Sequence, residues 1–191
     1  IFRKKESDFS NQNLFSINSN KTKKILEKIN SNYKIGISWK SFREKISISN
    51  AKSISLKNLS SIIDLPRITL INLQYGDVKK ELMNFNAESK NKIITIDSVD
   101  ISDDLESVLD LLNNLDLFIT ISNTTAHLAG ALGVETWLIT PQNHASFHYW
   151  NQLNDKTPWY NNVKIYNTGK GIENTILEIT KDLKNKFKIN V

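Results

Sequence analysis

Short apolar runs that alternate with helical patterns along most of the chain constrain its architecture more than any other feature. Strand-like runs at 35–39, 68–73, 93–96, 117–121, 136–139 and 163–166 are separated by segments of helical spacing at 56–64, 77–85, 105–115, 124–132 and 172–187. Strands separated in this way form βαβ units, whose crossovers are almost always right-handed and which assemble a parallel sheet. The run Leu117-Phe118-Ile119-Thr120-Ile121 is apolar at nearly every position, as a strand covered on both faces must be. The expected fold class is α/β, a Rossmann-like parallel sheet with helices on both faces.

The ends of the chain read differently. Residues 1–20 are polar and carry no period, so they read as a connector, whereas 21–30 places Ile25, Leu26 and Ile29 on one face of a short amphipathic helix. The expected organisation is a linker and leading helix from an upstream lobe over 1–33, a Rossmann-like domain over 34–187 and a tail over 188–191. A first residue other than Met suggests a fragment.

Composition narrows the chemistry. Among 191 residues, 39% are hydrophobic, and 4 Trp, 5 Tyr and 8 Phe can bury enough area to offset the entropy of ordering. With 0 Cys there is no disulfide scaffold, thiolate zinc site or cysteine nucleophile. The balance of 25 Lys+Arg against 20 Asp+Glu gives +5, but the cations are scattered and form no compact patch, so dedicated nucleic-acid binding is not expected. No apolar run reaches the ~18 residues of a membrane span, and the first residues lack the apolar core of a signal peptide.

In an open parallel sheet, ligands bind beyond the carboxyl ends of the strands. The most informative loop there is Ser122-Asn123-Thr124-Thr125-Ala126-His127-Leu128-Ala129-Gly130-Ala131-Leu132-Gly133, which follows a buried strand and opens a helix of small residues. Its free N–H groups, the hydroxyls of Ser122, Thr124 and Thr125 and the His127 imidazole would suit a phosphate or diphosphate, since helix dipole and donors both favour an anion. The plain alternative is an Asn123 or Thr124 cap beside a packed His127. A second loop carries Lys40, Ser41, Arg43, Lys45 and Lys52, cations that would neutralise a diphosphate or simply be solvated. A third, Gln74-Tyr75-Gly76, offers an amide and a ring to a nucleobase, or is an ordinary turn.

Other chemistries fit poorly. His127, His144 and His148 have no metal-ligand spacing, and Asp103-Asp104 before a helix is better explained by capping. No Gly-x-Ser-x-Gly elbow, Gly-x-Gly-x-x-Gly loop or Walker loop is present. Exposed Trp150, Trp159 and Tyr160 could stack on RNA or DNA bases, or pack in the core or at a lobe interface.

The stretch from Leu115 to Gly133 resembles the C-terminal lobe of GT-B glycosyltransferases, specifically the heptosyltransferase-like family 9 and the related transferases that follow tetratricopeptide repeats in bacteria. Further matches come in order: Gly36-Ile37-Ser38-Trp39, Lys52-Ser53-Ile54-Ser55-Leu56, Asn72-Leu73-Gln74-Tyr75-Gly76, Asp104-Leu105, Trp137-Leu138-Ile139-Thr140-Pro141, His148-Tyr149-Trp150 and Thr157-Pro158-Trp159-Tyr160. Many relatives carry Asp-Thr where this chain has Ser122-Asn123, and Arg where it has Lys52.

The resemblance implies a nucleotide-sugar-binding domain over 34–187, the donor lobe of an enzyme that transfers sugar with inversion and without a metal ion or other cofactor. It implies diphosphate contacts from Lys40, Lys52, Ser122, Asn123, Thr124, Thr125 and His127, and base or ribose contacts from Ser38, Gln74, Tyr75 and Asp104. The general base is expected in an N-terminal lobe absent from this chain, with tetratricopeptide repeats as a further upstream element. Expected partners are a nucleotide-diphosphate sugar and an acceptor glycan, lipid-linked saccharide or protein. The expected setting is a bacterial cytoplasm or the inner-membrane periphery. A noncatalytic nucleotide or sugar-phosphate binding module is the alternative, because the fold serves either role.

Overall fold

The computed structural model describes residues 8–9, 13–14, 16–17, 19–42, 52–141, 148–150 and 155–189. Arg43, Lys45 and His144 lie outside the described residues. The strands are β1 (Tyr33–Ile37), β2 (Ile68–Asn72), β3 (Ile93–Ile94), β4 (Leu117–Ile121), β5 (Thr136–Thr140), β6 (Lys156–Thr157) and β7 (Tyr160–Asn167). The helices are α1 (Lys21–Leu26), α2 (Ser60–Ile63), α3 (Lys79–Glu88), α4 (Leu105–Asn113), α5 (Thr124–Leu132) and α6 (Ile172–Phe187).

Among the described residues the strands form one seven-stranded sheet in the order β3-β2-β1-β4-β5-β7-β6. All neighbours pair in parallel except β6 and β7, which are antiparallel. The chain therefore winds outward through β2 and β3 on one side of β1, then returns to β4 and winds the other way. That reversal makes β1 and β4 the switch point, and in open α/β sheets the binding crevice lies beyond the carboxyl ends of the strands at such a point. The fold is the Rossmann-like α/β class expected from the alternation.

Side-chain alternation along the strands builds two cores. Ile35, Ile37, Ile119 and Ile139 face one way and pack with Ile62, Leu82 and Ile179 from α2, α3 and α6. Ile71, Leu73 and Phe118 face the other way and meet Leu26, Leu111 and Ala129 from α1, α4 and α5. Each such side chain, taken fully from water, contributes about 1.5–3 kcal/mol. A smaller cluster of Ala126, Leu138, Trp150, Val163 and Ile165 closes the α5 side of β5 and β7.

Several boundaries depart from the periodicity for local reasons. The helical segment expected over 56–64 is a 3-10 turn, Leu56–Leu59, running into α2; the Ser55 hydroxyl and Asn58 amide form a capping box at its start. The helix ends before Leu65-Pro66, and Arg67 takes a left-handed φ of 68°. Strand β3 stops at Ile94, and just beyond it the Thr95 hydroxyl accepts the Asn72 amide N–H at 3.2 Å. Strand β7 is longer than 163–166 because the unforeseen β6 pairs with its first half, Thr157 opposite Tyr160 and Lys156 opposite Lys164.

The leading segment packs onto the α4–α5 side. The Thr22 N–H donates to the buried Asp110 carboxylate at 2.7 Å, and the Leu14 N–H donates to the Ala131 carbonyl at 2.9 Å. Gly133 ends α5 with a left-handed φ of 81°, a conformation that a side chain would strain. No helix among the described residues is long and apolar enough to cross a membrane.

Candidate functional site at the carboxyl edge of the sheet

Where β1 and β4 part, a last backbone bond from the Ser38 N–H to the Ile119 carbonyl at 3.2 Å is reinforced by side chains. The Asn123 carbonyl accepts the Ala126 N–H at 3.0 Å and so caps α5, while its amide donates to the Ser38 hydroxyl at 2.9 Å. Ser38 in turn shares a 2.6 Å bond with Thr120, a residue of β4 that periodicity marked only as strand. Ser38 and Asn123 thus hold the crevice in shape. The cap uses the N–H of Ala126, which leaves those of Thr124 and Thr125 ahead of the first intrahelical bond.

Beside this staple lies Lys52, at 2% exposure a cation almost wholly removed from water. Its ammonium donates to the Ser122 hydroxyl at 3.4 Å, and the Trp150 indole N–H donates to the same oxygen at 3.0 Å. With two donors on its oxygen, Ser122 has its own hydrogen left to give, so it is a donor to anything that enters the crevice. Thr124 is exposed at the start of α5, and Thr125, buried as a residue, makes no side-chain hydrogen bond to the described residues.

His127 sits on the next turn in an aromatic surround. Its ring stacks on Trp150 at 4.5 Å and 23°, meets the edge of Tyr149 at 5.1 Å, and brings Nδ1 to 3.1 Å from the Tyr160 hydroxyl. Burial pushes the imidazole below its ordinary titration range, and the Lys52 charge pushes the same way. His127 is therefore neutral at pH 7. Burial likewise raises Tyr160, so its phenol keeps its proton.

The remaining expected residues are engaged elsewhere. Lys40 forms an ion pair with Glu81 at 2.7 Å, the same carboxylate that accepts the Trp39 indole N–H. Gln74 is buried; its carbonyl accepts the N–H groups of Trp39 at 2.7 Å and Lys40 at 2.6 Å, and its amide donates to the carbonyls of Lys40 and Tyr75. It braces the exits of β1 and β2. Tyr75 is half-buried against Phe42, ring centroids 5.8 Å apart. Asp104 is exposed and caps α4 through the Ser107 N–H and hydroxyl, bonds that hold its carboxyl below the usual range. The structure thus gathers Ser38, Lys52, Ser122, Asn123, Thr124, Thr125 and His127 around the α5 N-terminus, while Lys40, Gln74, Tyr75 and Asp104 serve other bonds.

Three side chains beside these residues were not expected as part of the site from the sequence: Thr120, Thr140 and Tyr160, the last read only as a stacking or packing ring. In register, Thr140 follows the pair Ile121–Ile139 and so stands beside Ser122. It is fully buried, and among the described residues its hydroxyl has no hydrogen-bond partner. A hydroxyl left unsatisfied in the interior costs about 1–3 kcal/mol. Thr140→Val, which keeps the shape, is expected to raise unfolding stability by about 1 kcal/mol, read by urea denaturation; a loss of that size would show that the hydroxyl is satisfied. Among the described residues no cluster of three or more His, Asp and Glu side chains has metal-binding spacing.

Comparisons with known proteins bear on this arrangement. No family model matches the chain. It is 32% identical over 145 residues to Protein FlbA of Caulobacter vibrioides (strain ATCC 19089 / CIP 103742 / CB 15), a match that covers 75% of this chain and 23% of FlbA. The crystal structure of the glycosyl transferase family 9 from Veillonella parvula DSM 2008 superposes with a TM-score of 0.57 and 12% identity, over 81% of this chain and 46% of that one. The fold is shared with a glycosyl transferase. The chain spans about a quarter of the FlbA length and under half of the solved transferase, so it corresponds to one part of each.

Proposed function

We propose that this chain is the donor-binding part of a glycosyltransferase and that it holds a nucleotide-diphosphate sugar across the carboxyl ends of β1 and β4. The observation that carries the reading is the buried Lys52 ammonium on the Ser122 hydroxyl at the open N-terminus of α5, with His127 on the next turn. A fixed cation, an obligate hydroxyl donor and free helix N–H groups converge there, which is a setting for a diphosphate. The fold shared with a family 9 transferase supports the reading.

Breaking the bond from the anomeric carbon to the donor phosphate leaves negative charge on the departing diphosphate. Donors and cations already in place at that position stabilise the transition state more than the ground state. In this reading Lys52, the Ser122 hydroxyl, the Thr124 and Thr125 N–H groups and His127 do so without a divalent metal, and the acceptor hydroxyl attacks with inversion. The base that takes the acceptor proton lies beyond this chain, and the acceptor is a glycan, lipid-linked saccharide or protein.

Thermal unfolding with ADP, GDP, UDP and their sugars, in the presence of EDTA, tests the reading. A selective ligand at ~100 times its Kd raises stability by about 2.7 kcal/mol. No shift with any nucleotide would overturn donor binding, and a shift abolished by EDTA would overturn metal independence. The chain alone is expected to bind donor and transfer little or no sugar; appreciable turnover would place the acceptor base within it.

A further inference from the structure

The contact between Tyr160 and His127 joins the first residue of β7 to the second turn of α5, 33 positions apart in sequence. It depends on an unusual opening in the helix. A Cβ added at Gly130, three residues after His127 on the same helix face, would lie 2.6 Å from the Tyr160 ring. A glycine inside a helix costs about 1 kcal/mol relative to alanine, and here its missing side chain lets the tyrosine ring lie directly on the backbone. Asn162, two residues on, donates to the Val134 carbonyl at 2.6 Å and holds the start of β7 against the end of α5.

His127 is then fixed in two ways. Stacking on Trp150 sets the plane of the imidazole, and the bond at Nδ1 sets its rotation within that plane. A phenol is a good donor and, with its lone pairs drawn into the ring, a weak acceptor; its natural partner is an unprotonated ring nitrogen. Among the described residues Nε2 has no partner. A neutral imidazole carries one proton, so a bond accepted at Nδ1 puts that proton on Nε2.

We propose that Tyr160 is a positioning residue that fixes His127 as the Nε2–H tautomer and so makes it a hydrogen-bond donor to an anionic ligand at the α5 N-terminus. Trp150 acts in parallel on Ser122, whose oxygen it occupies and whose hydrogen it thereby frees. The aromatic surround sets the polarity of the crevice, which offers donors and selects ligands that only accept, such as the diphosphate of a nucleotide. The ligand half of this inference rests on the donor-binding reading above; the tautomer half does not.

Long-range proton–nitrogen NMR of the 15N-labelled chain tests it. Wild type is expected to show His127 with Nδ1 unprotonated and Nε2 protonated. Tyr160→Phe, which removes one oxygen, should shift both ring nitrogens toward a mixture of tautomers and weaken inorganic pyrophosphate binding roughly fivefold. A packing role alone would leave those nitrogen shifts in place. A wild-type ring protonated at Nδ1, or shifts unchanged in Tyr160→Phe, overturns the proposal, and the wild-type spectrum suffices if the variant does not fold. The expected tautomer with no binding of pyrophosphate, ADP, GDP or UDP would uphold the positioning role and overturn the donor-binding reading.

Discussion

Replacing Lys52 with methionine is expected to reduce nucleotide affinity by about 100-fold, the largest functional effect of any single change in this site. Methionine keeps much of the length and apolar stem of lysine and removes only the charge. Lys52 as a residue is 2% exposed and its ammonium lies on the Ser122 hydroxyl, so its attraction for a diphosphate is little screened by water. Truncating a buried, hydrogen-bonded charge that faces an opposite charge typically costs 2–5 kcal/mol of binding, and about 2.7 kcal/mol corresponds to that factor. At a ligand concentration ~100 times the wild-type Kd, the stabilisation of about 2.7 kcal/mol would fall to about 0.4 kcal/mol. Thermal unfolding reads this directly, and calorimetry on the same samples separates affinity from stability. The Trp150 bond to Ser122 and the Asn123 bond to Ser38 do not involve Lys52, so the loop stays tied without it. An undiminished shift in Lys52→Met would remove the diphosphate from this crevice.

Trp150→Ala is expected to have the largest effect on stability, a loss of about 3–5 kcal/mol. The side chain is 0% exposed, packs with Ala126, Leu138, Val163 and Ile165, supports His127 by stacking and donates to Ser122. Its removal opens a cavity between α5 and the strands and takes a donor from a buried hydroxyl. Against a total of about 5–15 kcal/mol for an ordinary domain, such a loss is a large fraction of the whole. Trp159→Ala is the comparison: that ring is only half-buried, meeting Phe9 at 5.1 Å and Tyr149 at 5.9 Å, so its loss should be smaller. Urea denaturation followed by circular dichroism ranks the two. Equal losses would mean that Trp150 is not the anchor of the third core.

The parts of the fold that arise from neighbouring residues could be read in advance. A strand or helix exposes its period within a few positions, so β1, β2, β4, β5, α4, α5 and α6 follow from the spacing of their apolar residues. Helix starts are equally local: the Asp104 and Asn123 caps reach only three residues along the chain. The hydroxyls and the helix start of the Ser122 loop were visible for the same reason, since they sit side by side in the chain. Strand β6 was not, because two residues carry no period and acquire a strand only from β7 opposite them.

The site as a whole belongs to the other class. Lys52 and Lys40 look alike in sequence, each a lysine in a polar loop, yet Lys52 is buried on Ser122 and Lys40 pairs with Glu81. Gln74 read as an amide free to meet a ligand, and the approach of the two strand exits occupies it with backbone. Ser38 meets Asn123 across 85 positions, and His127 meets Tyr160 across 33. The elements, their caps and the chemical types available at the carboxyl edge follow from contacts within a turn or two of chain. Which side chains share that edge, and which of them donate, follows from folding, because hydrogen-bond polarity and burial are set by partners brought together from afar.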